Sequence, residues 1–149
     1  MKSKRPRKPA RSKRPASKRS PRAPRDPLLG RMAGADHREV GGVAIDTTRA
    51  ANGRVKRVCY PPGFRWSTHM KPLVNTPLCM HAHVGFLVQG KMVVEYGDGC
   101  REEYEAPAPM VIPPGHDGWV VGDETAVLVQ YDCGPGTCER LGLPTEHRH

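Results

Sequence analysis

The stretch HVGFLVQGKMVV, residues 83–94, decides how this chain folds. Apolar residues, several of them β-branched or aromatic, occur on both sides of Gly90. Short runs of this composition are typical of β-strands, and a glycine between two of them indicates a turn. A second stretch, VIPPGHDGWVV at residues 111–121, has the same arrangement around a PPG turn. Both stretches therefore predict strands joined by tight turns.

The same alternation of strand-type runs and turn residues extends from these two stretches over most of the chain. The predicted strands are EVGGVAI (39–45), RVKRVCY (54–60), FRWSTHMK (64–71), LCMHAHVGFLV (78–88), KMVVEY (91–96), APMVI (108–112), GWVVG (118–122) and AVLVQYD (126–132). The turn signals PPG, GDG, PPG and GDE separate them, and no segment shows a sustained helical period. Evenly spaced short strands predict an all-β fold, either an antiparallel sandwich or a barrel.

Charge is distributed unevenly along the chain. Residues 1–30 contain 12 of the 24 Lys and Arg residues and one acid, Asp26, whereas the rest has a net charge of −2. The first segment is rich in Lys, Arg, Pro, Ser and Ala, a composition that predicts disorder. Two interpretations stay open. The segment is an electrostatic arm for DNA or RNA, similar in composition to linker-histone tails, or it is a solubilising extension.

These observations divide the chain into a basic tail (1–30), one β domain (39–133) and a C-terminal tail (134–149), either an ordered lid or a loose end. No apolar run approaches the roughly 20 residues that a membrane-spanning helix needs, and the basic start lacks the apolar stretch of a secretory signal. Five cysteines, an odd number, favour free thiols in a reducing compartment. We therefore expect a cytoplasmic protein without membrane contact. A homodimer that covers edge strands is a further expectation.

The two opening stretches resemble the paired motifs of the cupin superfamily, and the match covers roughly residues 54–132. The first motif reads His-any-His, three or four residues, Glu, six residues, Gly; the second reads Pro-any-Gly, two residues, His. More narrowly, HVGFLVQGKM and IPPGHDGWVVGDE resemble a bacterial subgroup of small single-domain cupins. The resemblance implies one small antiparallel jelly-roll barrel, with a metal or small ligand at its mouth.

The register of these motifs selects the candidate ligands. If Gly90 is the motif glycine, His83 takes the place of the family's Glu and Cys79 the place of its second His. The second motif predicts a ligand at Gly118, and His116 lies two residues earlier, on the same face of a strand. His83 is thus the first candidate, then Cys79 and His116, then His81. Imidazole and thiolate donors suit Zn, Fe, Ni or Cu.

The site chemistry leaves several alternatives open. His81 points either into the pocket or into solvent, and a metal-free pocket would use His83 and His116 as hydrogen-bonding groups. Asp117 either orients the His116 ring or makes a turn. The first functional hypothesis is a cupin that binds a small molecule, and a divalent transition metal with it, without assigned catalysis. The alternative is a metal-dependent enzyme, an oxygenase or isomerase. A barrel with only a structural or interaction role is the third.

Overall fold

The computed structural model describes residues 26–149, and most of that region is β-structure. The strands are β1 (Asp36–Val40), β2 (Val43–Ala50), β3 (Gly53–Tyr60), β4 (His83–Gln89), β5 (Lys91–Tyr96), β6 (Arg101–Glu105), β7 (Ala108–Ile112), β8 (His116–Val120) and β9 (Ala126–Asp132). The short helices are α1 (Trp66–His69), α2 (Lys71–Val74) and α3 (Thr137–Leu141). The all-β prediction is confirmed. The part of the predicted basic arm within residues 1–25 lies outside the described residues.

The strands form two antiparallel sheets that share one core. The larger sheet has the order β1-β2-β3-β9-β4-β7, and the smaller has the order β6-β5-β8. One buried cluster combines side chains of the larger sheet, such as Leu87 and Leu128, with Met92 and Val94 of the smaller sheet. Side chains from both sheets thus enclose an apolar interior, which is the layout expected of a small β-barrel.

Glycine turns connect the strands where the sequence requires unusual backbone angles. Gly90, between β4 and β5, has a φ of +79°, and a Cβ there would lie 2.8 Å from the Cα atom of Ala126. The interpretation of EVGGVAI as a single strand is wrong. Gly41 and Gly42 both have positive φ and join β1 to β2 as a two-residue hairpin turn, a geometry that Gly-Gly favours.

The prediction of a strand at residues 64–71 is also wrong, because α1 lies within this segment and α2 begins at its last residue. The backbone N–H of Met70 donates to the carbonyl of Trp66 at 2.8 Å. The carboxylate of Asp117 accepts hydrogen bonds from the backbone N–H and the hydroxyl of Ser67, at 3.0 and 2.8 Å. A carboxylate from a distant strand therefore satisfies a free amide at the start of α1, which a local hydrophobic pattern cannot reveal.

The strand predicted at residues 78–88 is shorter in the structure, since β4 begins only at His83. The preceding residues are irregular, and Cys79 forms an isolated antiparallel bridge with His116. Residues 134–149 contain α3 followed by an irregular segment. In the described part of the chain, no helix is long and apolar enough to cross a membrane.

Candidate metal centre

Three of the four residues selected from the sequence lie together on the inner wall of the barrel. One ligand atom each from Cys79, His83 and His116 lies within 4.8 Å of the other two. The backbone N–H of Cys79 donates to the carbonyl of His116 at 2.7 Å, and the N–H of Gly115 donates to the carbonyl of Cys79 at 2.8 Å. These bonds hold the segment before β4 against the start of β8. The thiol of Cys79 therefore lies beside the His116 ring.

Hydrogen bonds fix the orientation of both imidazoles. The Nδ1–H of His83 donates to Oε1 of Gln130 at 2.7 Å, and the Nδ1–H of His116 donates to the carbonyl of Pro113 at 2.8 Å. A neutral imidazole that donates from Nδ1 keeps a lone pair on Nε2. The Nε2 atom of His83 lies 3.9 Å from the sulfur of Cys79. Each ring is therefore in the tautomer that presents Nε2 as a ligand.

Burial keeps these groups uncharged. Desolvation lowers the pKa of His83 well below its usual value, and the neighbouring His116 and His81 lower it further. Desolvation also lowers the pKa of His116 to about 4. The same effect raises the pKa of the Cys79 thiol to about 11. At neutral pH both imidazoles thus carry free lone pairs, while the thiol keeps its proton until a cation displaces it.

The structure does not bring His81 to this cluster. Its Nε2 atom lies 3.5 Å from Oδ2 of Asp132, although the centroid of its ring is 5.1 Å from that of His83. Asp132 is fully buried and pairs with Arg54 at 2.6 Å and Lys56 at 2.5 Å. Burial raises the pKa of Asp132, but its hydrogen bonds with His81, Lys56 and Arg54 outweigh burial and lower it overall. His81 thus belongs to a charged group beside the cluster.

The cluster lines a cavity of about 470 Å³ inside the barrel. Most of the wall is apolar and includes Val43, Val58 and Leu128, whereas Arg54 and Lys56 contribute positive charge. Cavities of this size enclose small molecules, with a few polar groups that set the orientation of the ligand. The cavity therefore offers an apolar volume, a group of metal-type donors and a cationic region.

The donor set fits a divalent transition metal. Tetrahedral bonds of about 2.0–2.1 Å to nitrogen and 2.3 Å to sulfur place the two donor atoms about 3.6 Å apart. The distance of 3.9 Å between the Cys79 sulfur and the His83 Nε2 exceeds that value by only a few tenths of an ångström. Two imidazoles and one thiolate favour Zn²⁺, Fe²⁺, Ni²⁺ or Cu²⁺ over Mg²⁺. Three protein ligands also leave a coordination position for a water molecule or a small ligand.

Sequence reasoning missed Gln130 and left two roles open for Asp117. Gln130 occupies the same face of β9 as the buried Leu128, and a buried polar residue in an apolar strand is the signal that could have identified it. Asp117 does not orient His116. Its carboxylate instead binds Arg65 and Ser67, and the carbonyl of Pro113 is the group that orients the His116 ring.

The other aromatic candidates are divided between core and surface. Trp66 and Tyr96 are buried. Phe86 is 59% exposed and lies on the surface. Trp119 lies under the guanidinium of Arg65, with 4.3 Å between the Arg65 Cζ atom and the ring centroid. His69 is half-buried at the end of α1, stacks on the ring of Phe64 and is not among the residues that line the cavity.

Comparison with solved structures identifies the fold. The crystal structure of a Cupin 2 conserved barrel domain protein from Salinispora arenicola matches with a TM-score of 0.51 at 14% sequence identity. The match covers 76% of this chain and 94% of that chain. This chain has a cupin fold. The cupin domain of Cnp3 from Schizosaccharomyces pombe matches with a TM-score of 0.48 at 13% identity, over 74% of this chain and 77% of that domain.

Sequence-level comparison adds nothing to this identification of the fold. No protein-family model matches the chain, and no curated protein matches it. The fold that the motifs at residues 83–94 and 111–121 predicted is confirmed by the structural match to the Salinispora arenicola protein. Within this cupin barrel, Gly118 has no side chain to offer at the position where the motif places a ligand, and His116 lies one inward position earlier on β8.

Proposed function

We propose that this cupin barrel is a binding module that takes a small molecule into its cavity and holds one divalent transition metal ion through Cys79, His83 and His116. The observation that supports the proposal most directly is the convergence of these three donors, two of them with the ligand lone pair fixed by a hydrogen bond on the opposite ring nitrogen. Such outer hydrogen bonds accompany most histidine ligands of metals.

The cavity wall indicates the chemistry of the small molecule. Lys56 and Arg54 share a single counter-charge, that of Asp132, so this region has a net positive charge. The remaining wall is mainly aliphatic and aromatic, including Met70, Met92 and other core side chains. We therefore expect a ligand with an apolar body and one anionic group, such as a carboxylate, whose charge pairs with Lys56.

Each residue of the centre has a distinct part in binding. When bound, the metal would supply a Lewis acid that attracts an oxygen or nitrogen atom of the ligand. Gln130 and the Pro113 carbonyl hold the two rings in orientation, which limits the entropy that is lost on coordination. On coordination Cys79 would lose its proton and would contribute a negative charge that partly neutralises the cation. The apolar wall excludes water from the pocket and strengthens these electrostatic contacts.

A metal-dependent enzyme, an oxygenase or isomerase, is the second candidate function. The open coordination position that three protein ligands leave would allow a substrate to bind directly to the metal. Among the described residues that line the cavity, however, none is Asp or Glu. Proton abstraction from a substrate carbon would then depend on a neutral histidine or on Tyr60, whose pKa is raised by burial. Binding without turnover accordingly agrees better with the wall of the cavity.

The test is the metal content of the full-length protein, purified without a polyhistidine tag and measured by plasma mass spectrometry. The His83→Ala/His116→Ala double variant should lose one metal equivalent per chain relative to the unchanged protein. His69→Ala removes a half-buried histidine outside the cluster and should leave the metal content as it is. If the double variant keeps the original content, the centre is misassigned.

We also propose that the basic segment contacts DNA or RNA. All 12 Lys and Arg residues of the predicted arm fall within residues 1–25, whereas the rest of the chain has an excess of acidic side chains. Cations clustered in this way release counterions from a phosphate backbone, so binding would be steeply salt-dependent and independent of sequence. Replacement of these 12 residues by Gln in the full chain should abolish binding to duplex and single-stranded oligonucleotides. Retained binding would refute this contact.

A further inference from the structure

A second group of metal-type donors lies outside the barrel cavity, formed by Cys100, His147 and His149. One ligand atom from each of the three lies within 4.8 Å of the other two. The ring of Tyr96 separates this group from the first cluster. Its centroid lies 6.3 Å from the His116 ring on one side and 3.8 Å from the His147 ring on the other. The two groups are thus neighbours with no residue in common.

The hairpin between β5 and β6 fixes the position of Cys100. Gly99 has a φ of +86°, which allows the chain to reverse direction at this point. The backbone N–H of Cys100 donates to the carboxylate of Asp98 at 2.9 Å, and the carbonyl of Cys100 accepts from the N–H of Tyr96 at 2.9 Å. The sulfur is therefore held at the end of a rigid hairpin and is only partly buried.

The segment after α3 brings the two imidazoles to this hairpin. The N–H of Leu143 donates to the carbonyl of Cys138 at 2.8 Å, which ties the start of the segment to the helix. The His147 ring then stacks on Tyr96 with an interplanar angle of 9°. The rings of His147 and His149 are nearly perpendicular, at 85°, with 4.9 Å between their centroids. Both histidines thus face Cys100 from a segment that has no regular secondary structure.

The hydrogen bonds of these rings leave nitrogen atoms available for a cation. The Nε2 atom of His149 lies 3.2 Å from Oδ2 of Asp98. This contact leaves the Nδ1 atom of His149 free to coordinate a metal. In the described structure, Nε2 of His147 is shielded from solvent and has no hydrogen-bond partner. A buried nitrogen without a partner costs free energy, whereas coordination to a metal would satisfy it.

We propose that Cys100, His147 and His149 form a second transition-metal site, and that a metal bound there fastens residues 143–149 to the hairpin between β5 and β6. Two imidazoles and a thiolate suit Zn²⁺ and similar borderline cations. Asp98 would orient His149 by accepting a hydrogen bond from its Nε2–H, the arrangement that a carboxylate commonly has beside a metal-bound histidine. This site uses none of the residues of the barrel centre and does not depend on what the barrel binds.

Cobalt titration of the full-length, tag-free protein tests this proposal, because Co²⁺ bound to a thiolate absorbs in the near ultraviolet. The unchanged protein and the His69→Ala control should bind two equivalents at roughly micromolar Co²⁺. The Cys100→Ser/His147→Ala variant should bind one equivalent, and the His83→Ala/His116→Ala variant should also bind one. The two double variants thus report separately on the barrel centre and on the second site. If Cys100→Ser/His147→Ala binds as much as the unchanged protein, the second site does not exist.

Hydrogen exchange of residues 143–149 provides a second readout that does not depend on absorption. Zn²⁺ should slow exchange in this segment at least tenfold, and a chelator should reverse the effect. His149→Ala removes only an exposed ring, so the variant should stay folded and lose the protection by Zn²⁺. Equal exchange with and without Zn²⁺ in the unchanged protein would overturn the proposal.

Discussion

The backbone of Cys79 is hydrogen-bonded to the backbone of His116, with the N–H of Cys79 donating to the His116 carbonyl at 2.7 Å. This bridge joins the irregular segment before β4 to the first residue of β8. Because the bridge is made by backbone atoms, it holds the thiol and the imidazole at a set separation whether or not a cation is present. The rigid part of the candidate centre is thus Cys79 with His116, and the side-chain contact of His83 with Gln130 completes it.

Gln130 should determine how well His83 binds a metal. Replacing Gln130 by Leu removes the acceptor of the Nδ1–H of His83, which lies 2.7 Å away, and leaves that hydrogen without a partner in a buried place. Loss of such an outer contact typically weakens metal binding 10–100-fold. Competition with a chromophoric chelator should therefore show a fall of about this size. Gln130→Glu keeps an acceptor and should retain most of the affinity. Equal affinity of Gln130→Leu and the unchanged protein would contradict this role.

Metal binding at the barrel centre should release one proton per ion near neutral pH. Burial raises the pKa of the Cys79 thiol to about 11, while His116, with a pKa of about 4, already carries its lone pair. The affinity should therefore rise about tenfold per pH unit between pH 6 and 8, since only the thiol must lose a proton. Calorimetry in buffers of different ionisation enthalpy measures the number of protons released.

The proton-release experiment is cleanest in the Cys100→Ser/His147→Ala background, where the proposed second site is absent. Adding Cys79→Ala should weaken binding and reduce the release to nearly zero, because the two imidazoles that stay have no proton to lose from Nε2. A release of one proton in the absence of Cys79 would show that another group titrates on binding.

Local sequence pattern correctly predicted the strands whose runs of apolar residues match their burial in the barrel. KMVVEY, APMVI and AVLVQYD coincide with β5, β7 and β9, because their β-branched and aromatic residues match a pleated surface that is half or fully buried. Residues 64–71 carry similar residues but form helices, since Asp117 of β8 binds the backbone of Ser67. That contact depends on the completed barrel, and no local window of sequence contains it.

Three of the four candidate ligands selected from the sequence lie together, but the contacts that orient them could not be predicted. Counting from Gly90 selected His83 and Cys79, and the PPG turn drew attention to His116; the structure brings these three together. The count could not show that His81 lies outside the cluster. The direction of its side chain depends on where β4 begins and on the buried charge of Asp132. Both features arise from pairing between strands that are distant in sequence, and so do the contacts that orient the two imidazoles.

Gly85 should be essential for the approach of β4 to β9. A Cβ atom at Gly85 would lie 2.0 Å from the carbonyl oxygen of Val129, which belongs to the backbone and cannot move aside. Gly85→Ala should therefore lower the free energy of unfolding by about 3 kcal/mol or more. Gly118→Ala is the matched control, because its Cβ would lie 3.6 Å from the nearest atom; it should change stability by less than about 1 kcal/mol. Urea denaturation measures both, and equal stability of the two variants would refute the close approach.

Asp46 should govern the stability of the barrel in acid. It is 2% exposed and accepts hydrogen bonds from Nδ1 of His37, at 2.8 Å, and from Arg57, whose guanidinium also donates to the carbonyl of Leu28. Burial raises the pKa of Asp46, but the bonds from His37 and Arg57 outweigh burial and lower it overall. A lowered carboxyl pKa stabilises the fold above the ordinary value of 3.8, and that stability is lost as the pH falls through the folded value.

Asp46→Asn should therefore be less stable than the unchanged protein at pH 7, by about 3–5 kcal/mol, because it leaves the buried Arg57 without a counter-charge. Its stability should also fall less between pH 5 and 3, since the carboxyl that would gain a proton is gone. Asp123→Asn alters an exposed turn residue and should retain the acid dependence of the unchanged protein. Urea unfolding at a series of pH values compares the three proteins. An acid dependence of Asp46→Asn as steep as that of Asp123→Asn would show that another buried carboxylate, such as Asp132, controls acid unfolding.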